Sequence, residues 1–121
     1  MKIYIAGPIS GEVKAEENFK KAHILLARMY PNAEIKNPML IPSPKFTQDD
    51  WGKDGLWSYY MHECIKLMME CDTIFLLRGW SSSRGATIEH DLAWKLEMNI
   101  MYEEEIIDIY ENNSEKESDF S

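Results

Sequence analysis

The run Asp72-Thr73-Ile74-Phe75-Leu76-Leu77 constrains this chain more than any other stretch. After its opening aspartate it is almost continuously apolar. A half-exposed strand alternates; an unbroken run needs cover on both faces, as a central strand of a parallel sheet has. Residues 2–6 (KIYIA), 33–37 (AEIKN) and 98–102 (MNIMY) read as three further short strands. Helical spacing fills the gaps. Over residues 13–30 Phe19, Ala22, His23, Leu26 and Ala27 fall on one stripe, widened by Ile24 and Leu25, until Pro31-Asn32 stops it. A second helix is expected over 55–70 and a third after the polar loop that ends at Gly85. Residues 103–110 offer a closing turn or two. The order β-α-β-α-β-α-β implies a parallel sheet with right-handed crossovers and helices on both faces.

Charge narrows the function. Formal net charge is -8, but residues 103–121 carry eight acids against Lys116, which leaves 13 acids and 12 bases in residues 1–102. A near-neutral body offers no basic face for duplex nucleic acid. We therefore expect one domain over residues 1–110 and an acidic, disordered tail over 111–121. The two cysteines, Cys64 and Cys71, lie seven apart without a CxxC pattern, which fits reduced thiols in a cytoplasm. No apolar stretch approaches the ~18–20 residues of a membrane span. His23, His62 and His90 are scattered and no HExxH is present, so neither a metal nor another cofactor is expected. Residues 38–53 hold Pro38, Pro42 and Pro44 with Phe46 and Trp51, and a loop this long in a small domain covers something or is mobile.

Two strand-to-helix loops carry the chemistry. Gly7-Pro8-Ile9-Ser10-Gly11 follows the first strand; its glycines let backbone N–H groups approach an anion, although a plain turn would look the same. Ser81-Ser82-Ser83-Arg84-Gly85 enters the third helix with hydroxyls and a guanidinium suited to a phosphate or carboxylate, the alternative being Ser83 as a helix cap and Arg84 on the surface. In that helix Ala86, Glu89, Leu92, Ala93 and Leu96 share the inward stripe. Glu89 is its one ionisable member. A carboxylate there is costly unless it is used, whether at a pocket mouth or simply against the helix dipole or Arg84. Trp80, in the polar loop, is placed to stack on a base or sugar, while Trp94 falls on the outer side of the helix as a candidate subunit contact. In parallel sheets ligands bind beyond the carboxyl ends of the strands, where both loops and the one after Asn37 meet.

KIYIAGPISG at the start, the central CDTIFLL strand and the GWSSSRGATIEHDLA segment together resemble the nucleoside 2-deoxyribosyltransferase-like superfamily, closest to its small phage and bacterial branch. The resemblance covers about residues 1–102. It implies a flavodoxin-like (Rossmann-like) three-layer α/β sandwich with a four- to five-stranded parallel sheet, and cleavage or transfer at the N-glycosidic bond of a (deoxy)nucleotide or nucleoside. Glu89 matches the nucleophile of that superfamily. Tyr4 matches the tyrosine that orients it, Ser83 a phosphate contact, and Gly7 to Gly11 the glycine-rich loop. The resemblance also implies a homodimer or higher homo-oligomer. One position departs: eight residues before Asp72 the superfamily carries an aspartate linked to protonating the leaving base, and here that position is Cys64. A thiol is a poor substitute for that acid, so a nucleotide-binding or sequestering protein without turnover is the alternative expectation.

Overall fold

The computed structural model describes residues 1–42 and 55–107. Strands β1 (Lys2–Ala6), β2 (Glu34–Lys36), β3 (Thr73–Leu76) and β4 (Asn99–Tyr102) form an all-parallel sheet in the order β2-β1-β3-β4. Helices α1 (Ala15–Met29), α2 (Gly55–Met69) and α3 (Arg84–Lys95) make the connections. The chain is an α/β protein with a flavodoxin-like sheet, as the alternation along the sequence requires.

The period-2 pleat sorts the central strands into two cores. Ile3 and Ile5 of β1, with Phe75 and Leu77 at β3, pack under Phe19, Ala22 and Leu26 of α1. Tyr4 and Ala6, with Ile74 and Leu76, pack on the opposite face against Cys64 and Met68 of α2 and Ala93 of α3. This explains why the DTIFLL run does not alternate: each side of it meets a helix. Its aspartate opens the strand. The Asp72 carboxylate accepts from the Lys2 N–H at 3.1 Å and from the Thr73 hydroxyl at 2.6 Å, at the amino edge of the sheet. No described helix is long and apolar enough to cross a membrane.

Three boundaries differ from expectation. Helix α1 starts at Ala15, and Val13 is 97% exposed. Its buried stripe is Ala15, Phe19, Ala22 and Leu26, with His23 half-buried and Ala27 exposed. The two large side chains, Phe19 and Leu26, fix the rotation, and a methyl at Ala27 has too little area to compete. Helix α3 ends at Lys95, so Leu96 sits past the last turn and is 53% exposed rather than on the inward stripe. Glu97 adopts a left-handed φ of 59°, with its N–H on the Trp94 carbonyl and the Met98 N–H on the Ala93 carbonyl, a Schellman ending without a glycine. Third, β2 and β3 each lose one residue at both ends of the expected run and β4 loses its first, while β1 keeps its expected bounds. Residues 103–107 are helical. The expected end of that helix, the acidic tail and positions 43–53 of the proline-rich loop lie outside the described residues.

At the carboxyl edge the two central strands close together. The Leu77 N–H bonds the Ala6 carbonyl at 2.9 Å, and a Cβ on Gly7 would stand 2.7 Å from Leu77 Cδ1 and 2.8 Å from its Cβ. A glycine is therefore required here by packing, whatever the loop binds. Gly7→Ala is expected to destabilise the protein by about 1–3 kcal/mol through overpacking, read as a lower denaturant midpoint at unchanged slope. Wild-type stability in this variant would contradict the close approach.

Candidate active site

A cleft of about 1150 Å³ opens beyond the carboxyl ends of β1, β2 and β3. One wall is the loop after β1, and Gly7, Pro8, Ile9, Ser10 and Gly11 all line it. The amino end of α3 forms another, with Ser83, Arg84, Gly85 and Glu89 on the lining. Both loops that the sequence marked at this edge line the same cleft.

Glu89 reaches the cleft because of how α3 starts. Ser83 is the N-cap, and its Oγ accepts from the Ala86 N–H at 3.2 Å. The Thr87 hydroxyl reinforces the turn by donating to the Ser83 carbonyl at 3.0 Å. From that start Ala86, Glu89 and Ala93 turn inward. The cap and the cleft are not alternatives for Ser83, which serves both.

Glu89 is 4% exposed. Its Oε2 accepts a hydrogen bond from the Tyr4 hydroxyl, and Tyr4 is itself buried on β1. Burial pushes the Glu89 carboxyl up to about 7, with the Tyr4 hydrogen bond opposing. Burial first, then the neighbouring Glu89 charge, raises the Tyr4 phenol well above its usual value. Cys64 stands beside this pair on α2, and burial, helped by the Glu89 charge, pushes its thiol up to about 11. The plainer use that the sequence left open for Glu89 was to complement the helix dipole or Arg84. Burial outweighs them, and the Arg84 guanidinium lies over the Trp57 ring, 3.8 Å from its centroid.

Two candidates sit elsewhere. Trp80 packs on the far side of α3, stacked on His90 with centroids 4.4 Å apart, while His90 Nε2 lies 3.3 Å from the Tyr102 hydroxyl. Its indole closes the second core rather than facing the cleft. Asn37 acts one step back. Its Oδ1 accepts from the Met39 N–H at 2.9 Å and caps the 3-10 turn Pro38–Leu40, which carries Pro38 and Met39 to the cleft wall. Trp94 is outward as expected, 69% exposed.

Sequence reasoning reached Cys64 on α2 through the resemblance and missed the rest of that wall. Trp57, Tyr60, Met61 and Cys64 all line the cleft. Their spacing of i, i+3, i+4 and i+7 was a readable signal, continued into the core by Met68. Helices α2 and α3 meet at Gly85, where an added Cβ would fall 2.9 Å from Met61 Sδ. Arg78 and Glu12, also on the lining, were missed without any such periodic signal.

Residues 1–102 match the model of a family described as a domain of unknown function, DUF4406. No curated protein and no solved structure matches the chain.

The buried carboxyl makes stability depend on pH. Glu89 binds its proton more tightly folded, at about 7, than its usual 4.5. Unfolding between those values releases a proton, so this group's contribution is full below about pH 4.5 and is lost as pH rises through 7. The loss is on the order of 3 kcal/mol. Glu89→Gln keeps an oxygen acceptor for Tyr4 and removes the charge. Its unfolding free energy is expected to match wild type near pH 4.5 and to exceed it at pH 8, and parallel curves across that range would contradict the buried carboxylate.

Proposed function

We propose that this chain, which belongs to the DUF4406 family, cleaves or transfers at the N-glycosidic bond of a small nucleotide or nucleoside, with Glu89 as nucleophile. The observation that carries this reading is the buried Glu89 carboxyl, held by Tyr4 and lining the cleft at the carboxyl edge of the sheet. Retaining glycosyl transfer needs a carboxylate against the anomeric carbon. The carboxylate oxygen of Glu89 attacks C1′, the C1′–N bond breaks, and its electron pair leaves with the base, which takes up a proton. Water then hydrolyses the glycosyl ester, or a second base accepts the sugar. Tyr4 holds the attacking carboxyl in place, and its hydroxyl stabilises the ionised form. The first-loop amides and Ser83 on the cleft lining suit a 5′-phosphate, with Arg84 on the same lining but stacked on Trp57. The exposed Trp94, with Ile88, supports assembly with a second copy.

Cys64 favours a second reading, a protein that holds a nucleotide without turning it over. It occupies the place of the acid in the resembled enzymes, and a thiol with a pKa of about 11 surrenders its proton poorly.

Chromatography of free base released from deoxynucleoside monophosphates and deoxynucleosides, with and without an acceptor base, separates the two. An N-glycosidase releases base, and Glu89→Ala abolishes the release. Tyr4→Phe lowers kcat by roughly 10–100-fold, the range expected for a lost orienting hydrogen bond next to the reacting group. Because the nucleophile must be ionised, kcat/KM rises with pH and levels off above about 7. Ligand-induced stabilisation without base release would favour the second reading, and a rate that falls through pH 7 would remove Glu89 from the nucleophile's role.

A further inference from the structure

The cleft has a cation that the proposed reaction does not yet use. Arg78 lies at the carboxyl end of β3 and lines the cleft, with its side chain exposed. Its backbone is held from both directions. The Arg78 N–H donates to Glu103 Oε1 at 3.0 Å, and the preceding Leu77 N–H is bonded to Ala6. Next to it Gly79 turns with a left-handed φ of 85°, and a Cβ there would come 3.4 Å from Pro8 Cγ of the first loop. The base of the Arg78 side chain is thus fixed where the loops after β1 and β3 touch. Arg84 stands differently, with its guanidinium engaged on Trp57 at the α2 side.

The first loop needs such a cation if it is to receive an anion. Its last lining residue, Glu12, is a carboxylate, and its Oε1 accepts from the Lys14 N–H at 3.1 Å. A phosphate placed on the N–H groups of this loop shares the cleft with that negative charge. A guanidinium at Arg78 offsets the repulsion and supplies paired donors that match phosphate oxygens.

We propose that Arg78 is a specificity-determining residue, which makes the cleft prefer a 5′-phosphorylated nucleotide over the corresponding nucleoside by gripping the phosphate against the first loop. This rests on the reading of the cleft as a nucleotide site and names the ligand class within it. Arg78 belongs to binding and does not touch the reacting bond. Since its side chain is exposed, Arg78→Gln leaves the melting temperature of the unliganded protein near that of wild type.

The test is thermal stabilisation of the full chain by each deoxynucleoside 5′-monophosphate and its deoxynucleoside at matched ionic strength. Wild type, Arg78→Gln, Arg78→Lys and Glu12→Gln are compared. Wild type is expected to respond more to the monophosphates. Arg78→Gln loses that increment, with apparent affinity for the monophosphate falling about tenfold, the loss of one charge-assisted contact, while its nucleoside response stays. Arg78→Lys recovers part of the increment, and Glu12→Gln enlarges it. A monophosphate increment that survives Arg78→Gln overturns the assignment and leaves the nucleotide cleft standing. Equal wild-type responses to monophosphates and nucleosides do the same. A wild type stabilised by neither class overturns the assignment together with the reading beneath it.

Discussion

A buried carboxyl held by a buried phenol, Glu89 against Tyr4, is the contact on which the arrangement of this molecule turns. Tyr4 must be on the face of β1 that meets α2 and α3, which the pleat settles. Glu89 must be on the inward side of α3, which the Ser83 cap settles. Helix α3 must then approach α2 closely enough to seal the pair, and the bare Cα of Gly85 beside Met61 allows that. A structural carboxyl could be replaced by a leucine at a gain in stability. This one keeps its charge cost and opens onto a cleft, the pattern of a group retained for what it does.

Much of this was legible in the chain. Four strands and three helices follow from one unbroken apolar run, three short β-rich runs and the helical spacing between them. Glu89 announced itself as the ionisable member of an apolar stripe. What could not be read has physical reasons. The end of α3 carries no glycine, because Glu97 takes the left-handed position itself, so Leu96 looked like a continuation of the stripe. Trp80 looked free in a polar loop, but its partners His90 and Tyr102 come from α3 and β4, and sequence distance hides such a stack. Gly7 looked like a ligand-binding glycine, and its nearest constraint is Leu77 across the sheet. Arg78 gave no signal because a loop has no period.

The cleft walls divide the work by chemistry. Helix α2 supplies aromatic and thioether surface in Trp57, Tyr60 and Met61. The loops after β1 and β3 supply amides, hydroxyls and guanidinium groups. Between them the Tyr4–Glu89 pair meets the cleft through the Glu89 carboxyl. A ligand with a flat apolar end and an anionic end fits that division, with its middle over Glu89. In a nucleotide that middle is the sugar, and its C1′ is the atom a carboxylate can attack.

The most direct measurement is the mass of the intact protein after incubation with a 2′-fluoro-arabinosyl nucleotide, whose fluorine slows breakdown of a glycosyl-enzyme ester. If Glu89 is the nucleophile, the protein gains the mass of one fluorinated sugar phosphate, peptide mapping places it on Glu89, and Glu89→Gln gains nothing. An unmodified protein, or an adduct on another residue, would contradict the claim that this buried carboxyl forms the covalent bond.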